Sequence, residues 1–255
     1  MRTTVGLMMS IALLGGLFAQ DAKTLLKQVQ QKYRQMKSME VSVEIRAEFS
    51  QGGSSSTLQV QSTLALQKPN RVAMKTSSNN PMLSREIYSD GKNLFIYIPA
   101  AKQYIKRESP PDLQGQGGNL LGEAGMLLSF ADANLDDPNS KARYTFKGRK
   151  TINGKPTRIV EVRENQPRAS RVYRLYVGEQ DKLVYRVELD ETMQMPSTQQ
   201  GQPPRQVTMK TEADIRYISF NKPIPASRFK FTPPKDAKPM QMPQPGAPVA
   251  PPPGR

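Results

Sequence analysis

The chain has 255 residues, a formal charge of +15 and an isoelectric point near 10.0, and it contains no histidine, cysteine or tryptophan. The absence of His and Cys excludes Ser–His and Cys–His nucleophilic systems and the usual zinc sites, and it leaves packing rather than disulfides to hold the fold. The positive charge suggests anionic surroundings, but Lys and Arg are spread over nearly every predicted strand and the aromatics do not interleave with them as a stacking platform requires, so a basic soluble surface outweighs nucleic-acid binding and anionic lipid head groups are a better partner than DNA.

Residues 1 to 19 read as a secretory leader. Arg2 gives a positive start, Val5 to Phe18 is an apolar core, and Ala19 precedes a cut at Gln20 or Asp21. The apolar run is shorter than the ~20 residues of a spanning helix. Leu25, Leu26, Val29, Tyr33 and Met36 then recur at helical spacing, which predicts an amphipathic helix capped by Asp21. From Met39 the period changes to 2: Met39, Val41, Val43, Ile45, Ala47 and Phe49 alternate with polar residues, a strand with one dry and one wet face. Gln51 to Ser56 is a flexible hairpin loop, and Leu58, Val60, Leu64 and Leu66 repeat the alternation. Lys68-Pro69-Asn70 turns the chain into a strand around Val72 and Met74.

The stretch from Arg85 to Pro110 is two strands about the turn Ser89-Asp90-Gly91-Lys92, with a third from Gln103 to Arg107 folded back. Leu94 to Ile98 is apolar on both faces, so this strand is expected to be covered from both sides. Between Ser109 and Asn139 the alternation stops. Leu120, Leu121, Met126, Leu127, Leu128 and Phe130 predict one or two short helices weakened by Gly122 and Gly125, and both a plug of core and a movable lid fit them. Strands resume over Tyr144–Lys150, Thr157–Arg163, Ser170–Val177, Leu183–Leu189 and Val207–Phe220, with a Gln, Pro and Gly-rich loop from Met195 to Arg205. About 10 or 11 antiparallel strands in one domain, residues 20 to 234, must curl around an interior. A Pro-rich tail from Lys235 to Arg255 is expected to be disordered or polyproline-like.

No catalytic constellation appears, and no cofactor or metal is expected. Asp132, Asn134 and Asp136 copy the first positions of a calcium loop, but Asp137 stands where Gly is required and Arg143 where the closing Glu belongs, so the string reads as a helix terminus.

The segments SDGKNLFIYIPAAKQY, LALQKPNRVAMK before it and ASRFKFTPPKDAKP far downstream resemble the LolA outer-membrane lipoprotein carrier family, in the superfamily that includes LolB-like and RseB-like periplasmic proteins. The resemblance covers most of residues 21 to 234. It implies an unclosed antiparallel half-barrel with an apolar concave face, capped by helices. It implies a monomeric, non-enzymatic periplasmic carrier that moves lipoprotein acyl chains or lipid towards the outer membrane, with transient membrane contact and inner- and outer-membrane transfer proteins as partners. The expected cavity lining is Val41, Val43, Ile45, Leu58, Val60, Leu64, Leu66, Met74, Leu94, Ile96, Leu175, Tyr185 and Val187. Residue type fits a cavity lining and a filled core equally. Lys68 stands where the family commonly has an Arg, and the expected role is contact with a helical lid over Gly118 to Phe130. Ala65 and Phe95 stand where the carrier typically has Trp. An RseB-like envelope-stress sensor that binds lipid-like signals and a membrane partner is the alternative, and an enzyme acting on lipids is third.

Overall fold

The structure, a computed structural model, describes residues 9–112, 125, 128, 131–166, 169–195 and 205–240, with helical side chains described from Ala22 onward. A strand with one dry face needs a partner on each edge and a cover over that face. β1 (Ser38–Gln51) finds its first partner in β2 (Ser54–Gln67), registered from Ser38 opposite Gln67 to Gln51 opposite Ser54. Gly52 and Gly53 take the positive φ angles of +58° and +85° that this tight turn requires. β3 (Arg71–Ser78), β4 (Arg85–Asp90), β5 (Asn93–Ile98) and β6 (Gln103–Glu108) continue the meander. The β2–β3 turn passes through a cis Lys68–Pro69 bond.

A second meander runs through β7 (Arg143–Ile152), β8 (Lys155–Gln166), β9 (Ala169–Gly178), β10 (Val184–Met195) and β11 (Arg205–Phe220). β11 returns to the free edge of β1, with Met39 opposite Phe220 and Gln51 opposite Val207. The result is one unclosed sheet in the order β12-β6-β5-β4-β3-β2-β1-β11-β10-β9-β8-β7, antiparallel except at its last member. This is the expected half-barrel, with twelve strands in place of 10 or 11.

The extra strand corrects the start of the tail. β12 (Lys238–Pro239) pairs in parallel with β6 inside the segment expected to be disordered from Lys235. Lys238 N donates to Lys102 O at 2.9 Å and Met240 N to Tyr104 O at 2.8 Å, so the residues flanking Pro239 supply the donors that proline lacks. Asp236 adds an ion pair to Lys102 at 2.8 Å. The expected disorder beyond Met240, the loop from 196 to 204 and most of the expected lid lie outside the described residues.

α1 (Met9–Arg34) starts earlier than expected, so Asp21 lies within the helix rather than capping it; no Gly or Pro stands between Phe18 and Leu25 to break the helix there. No helix among the described residues is long and apolar enough to cross a membrane. Ala22, Leu25, Leu26, Val29 and Tyr33 are buried on one stripe, and they join the dry faces of β1 to β11 in one continuous apolar layer inside the curl of the sheet.

The outer face carries a second, smaller cluster. Ala65, Ala73 and Tyr88 are covered there by Ile224 and Phe229, and Phe231 packs its ring 5.3 Å from Tyr88 and 5.2 Å from Phe95. β5 is thus covered from both sides: Leu94 is buried on the inner face, while Phe95 and Tyr97 meet Phe231 on the outer one. The two positions where the resemblance led to an expectation of Trp, Ala65 and Phe95, belong to this outer cluster, so the lack of Trp leaves the interior untouched. Across β7 to β11 the outer face is an ion-pair ladder, in which the buried Glu161 meets Lys147, Arg163 and Arg174, and Arg186 meets Glu212 and Asp214.

Candidate binding cavity

The inner apolar layer is filled over β1 to β5 and hollow over β7 to β10. The hollow has a volume of about 560 Å³, inside the range of ~300–1,000 Å³ usual for ligand pockets. Its floor is made by alternate residues of the second meander: Tyr144 from β7, Val162 and Glu164 from β8, Tyr173 and Leu175 from β9, Val184 and Val187 from β10. Leu26 and Tyr33 of α1 form one wall, and Ala133, Asn134, Leu135, Asp137 and Ser140 the other.

One end of the hollow is closed by a ring of hydrogen bonds. The register of β10 against β9 slips between Val184 and Arg186, and β10 pairs with β11 only from Arg186 onward, so the N–H and C=O of Val184 face β11 without ladder partners. Two hydroxyls supply them. Val184 N donates to Tyr33 Oη at 3.2 Å, Tyr33 Oη donates to Tyr217 Oη, and Tyr217 Oη donates to Val184 O at 3.0 Å. Burial pushes the Tyr33 phenol up to about 12 and the Tyr217 phenol well above its ordinary 10.0, so both stay protonated. Gly178 leaves room beside this end, since a Cβ there would stand 2.2 Å from Asp181 Oδ1 and 2.9 Å from the Tyr185 ring.

The wall made by residues 131 to 137 is tied to α1 by polar straps. Gln30 Nε2 donates to Ala133 O at 2.5 Å, Arg34 Nε donates to Ala131 O at 2.8 Å, and Asp136 takes Lys23 and Lys27 at 3.1 and 2.8 Å. These contacts account for the calcium-like string: Asp136 is the acceptor of two lysines, and Asn134 Oδ1 accepts the Asp136 N–H in a turn. Lys68 lies at the C-terminus of α1, where its Nζ donates to Arg34 O at 2.8 Å and, at 3.4 Å, to Tyr33 O, which also accepts the Met36 N–H. Burial lowers its pKa, and Asp112 and Asp132 work against that. A small pocket next to it is lined by Leu66, Leu128 and Ala131, so Lys68 stands between the helix end and the mid-chain segment.

The predicted lining residues share the inner layer but divide within it. Leu175 and Val187 line the hollow. Val41, Val43, Ile45, Val60, Leu64, Leu66, Met74 and Leu94 are buried in the filled part, and Leu58 and Ile96 pack at its margin. Tyr185 is buried with its hydroxyl on Asp181 Oδ2 at 2.5 Å. Tyr144, Val162, Tyr173 and Glu164 were not selected from the sequence, although the alternation of β7 to β9 carried the signal. Leu26 and Tyr33 were visible only as a helix stripe.

Residues 22–242 match the model of a family described as a predicted periplasmic protein, DUF2092. The chain belongs to this family. The periplasm is accordingly its location. A curated relative, an uncharacterized protein of Methanocaldococcus jannaschii, is 27% identical over 238 residues, which is 91% of this chain and 59% of the relative. The chain thus spans about 59% of the length of that relative. Similar solved structures include LprF from Mycobacterium bovis, 12% identical over 86% of this chain and 98% of the other, with a TM-score of 0.44. A LolA superfamily protein from Nitrosomonas europaea is 13% identical over 82% of this chain and 97% of the other, at 0.30. The half-barrel with its N-terminal helix bears out the LolA-like resemblance at the level of fold.

Proposed function

We propose that this DUF2092 protein is a non-enzymatic periplasmic carrier that holds the acyl chain of a lipid or lipoprotein in the hollow over β7 to β10. The observation that carries this reading is the hollow itself: about 560 Å³ of space floored by Val162, Leu175, Val184 and Val187 and walled by Leu26 and Leu135. Each CH₂ moved from water into such a space contributes ~0.8 kcal/mol, so a chain that fills it competes with a membrane for its cargo. The straps from Gln30 and Arg34 to the 131–133 backbone give the hollow a wall that can part from α1 without breaking the sheet.

The test is mass spectrometry of lipid extracted from the purified protein, with a fluorescent acyl probe added to the delipidated form. Leu175→Trp puts an indole into the floor and is expected to reduce bound probe about tenfold while circular dichroism and thermal unfolding show a folded chain. Tyr173→Trp serves as the second variant if Leu175→Trp does not fold. Folded variants that bind as much lipid as the parent would sink the proposal. Hand-over of the probe to acceptor vesicles separates a carrier from a sensor, which binds without passing its ligand on.

A further inference from the structure

The sheet's register sets a polarity along the hollow. Three successive rows cross its floor: Val160, Leu175 and Val187; then Tyr144, Val162, Tyr173 and Leu189; then Glu164, Arg171 and Glu191. The first and third rows are four residues apart along the strand, about 13 Å. The floor therefore passes from wholly apolar, through tyrosines, to charged.

Within the charged row the pairing is unequal. Arg171 Nε stands 2.5 Å from Oε1 of Glu191, which is only 7% exposed, so the hydrogen bonding of this guanidinium is directed to Glu191 rather than to Glu164. Glu164, directly across the strands from Arg171, lines the hollow and makes no ion pair or hydrogen bond among the described residues. Asp137 is the other charged residue of the lining, and its Oδ1 accepts the Asn139 N–H. In a chain of charge +15, the lining thus holds two carboxylates and no Lys or Arg. Arg171, the cation of this row, is already engaged by Glu191, and Lys23 sits 5.8 Å from the Tyr144 ring centre with its ammonium on Asp136.

Resting on the acyl-binding reading above, we propose that the cargo is an amphiphile with a cationic, amine-bearing head, whose chain lies over Leu175 and Val187 and whose head is held by Glu164. A carboxylate or phosphate head in the same pose would face Glu164 and Asp137, while Arg171, the cation of that row, is already engaged by Glu191. An ammonium there supplies the donor that Glu164 lacks, and a charge-assisted hydrogen bond in a partly desolvated site is strong enough to select between heads. Two sources carry this chemistry: the amine head of a lipid, and a lysine or free amine beside the acylated residue of a lipoprotein.

The experiment compares three probes with one alkyl chain, dodecylammonium, a neutral dodecyl ether and dodecanoate, by isothermal titration of the purified protein at fixed ionic strength. Ammonium is expected to bind about tenfold tighter than the neutral probe, and dodecanoate more weakly than either. Glu164→Gln should bring ammonium to within about twofold of the neutral probe and leave the neutral affinity in place, while Glu108→Gln, on the exposed end of β6, keeps the parent order. Dodecanoate binding as tightly as dodecylammonium, or a Glu164→Gln variant that keeps the preference, overturns the inference and leaves the acyl reading standing. No binding by any of the three overturns both. A dodecanoylated peptide with Lys beside the acylated residue, run against vesicles containing an amine-headed lipid, assigns the source: retention of one and not the other, lost in Glu164→Gln, names protein or lipid cargo.

Discussion

Tyr33→Phe removes one oxygen and tests the hydrogen-bonded ring that closes the hollow. Tyr33 is 1% exposed, and the Val184 N–H that it accepts has no alternative acceptor on β11, because the β10–β11 ladder begins only at Arg186. Removing the hydroxyl leaves that donor buried and unpaired, while Tyr217 keeps its bond to Val184 O. An orphaned buried donor costs about 1–3 kcal/mol. For a domain of this size about 2 kcal/mol corresponds to a fall in Tm of roughly 4–8 °C. Urea unfolding of parent and variant should give a lower midpoint with an unchanged slope. The ring also predicts a pH signature. The folded Tyr33 phenol is raised from 10.0 to about 12, so the native state keeps a proton that the unfolded state loses. Stability from this group is complete below pH 10 and declines as the pH rises from 10 towards 12, and Tyr33→Phe should make that decline shallower. A variant with the parent's urea midpoint and the parent's alkaline slope would show that the ring contributes nothing.

Two further outcomes follow from single contacts. Lys68→Met removes the donor to the Arg34 and Tyr33 carbonyls and should cost about 1 kcal/mol in thermal unfolding, with Lys68→Arg recovering most of it; equal melting of all three chains would deny Lys68 its capping role. Burial alone would raise the pKa of Glu161, but Arg163 and Lys147 outweigh it and hold the carboxylate below its ordinary 4.5. Its contribution is therefore present above pH 4.5 and lost as the pH falls through the lower folded value, so Glu161→Gln should destabilise by about 1–3 kcal/mol at pH 7 and flatten the acid limb of a stability-versus-pH curve.

The sheet was largely legible because its two meanders are local. A run such as Val41, Val43, Ile45 opposite Val60 and Leu64 announces both its period and its neighbour, and the Asp90–Gly91 turn fixes the next hairpin. The joining of β1 to β11 carries no such signal, since nothing local says which of two free edges will meet. The place of the hollow was equally hidden. Val60 and Val162 look alike in sequence, yet one is packed and the other faces open space, and the difference is made by where α1 and residues 133 to 140 lie over the sheet. The slip at Val184 is an effect of pairing on both sides of β10, and alternation counted along one strand cannot show it. Glu164 lies one residue beyond the strand expected to end at Arg163, so the alternation that sets it on the face of Val160 and Val162 was not followed that far.

The seam between β1 and β11 also governs how the molecule must be made. Every other long pairing in the sheet joins consecutive strands, but this one brings Met39 to Phe220 and Gln51 to Val207. Such closure is slow, because the loop entropy of nearly the whole chain is lost before the contacts form. Until the residues of β11 have emerged, β1 is an open edge with the buried-to-be face of Val41, Val43 and Ile45 uncovered, a template for pairing with other chains. A protein that works in the periplasm thus spends its assembly period with an exposed hydrophobic edge, and its final yield there depends on how quickly β11 arrives and on what shields β1 until then.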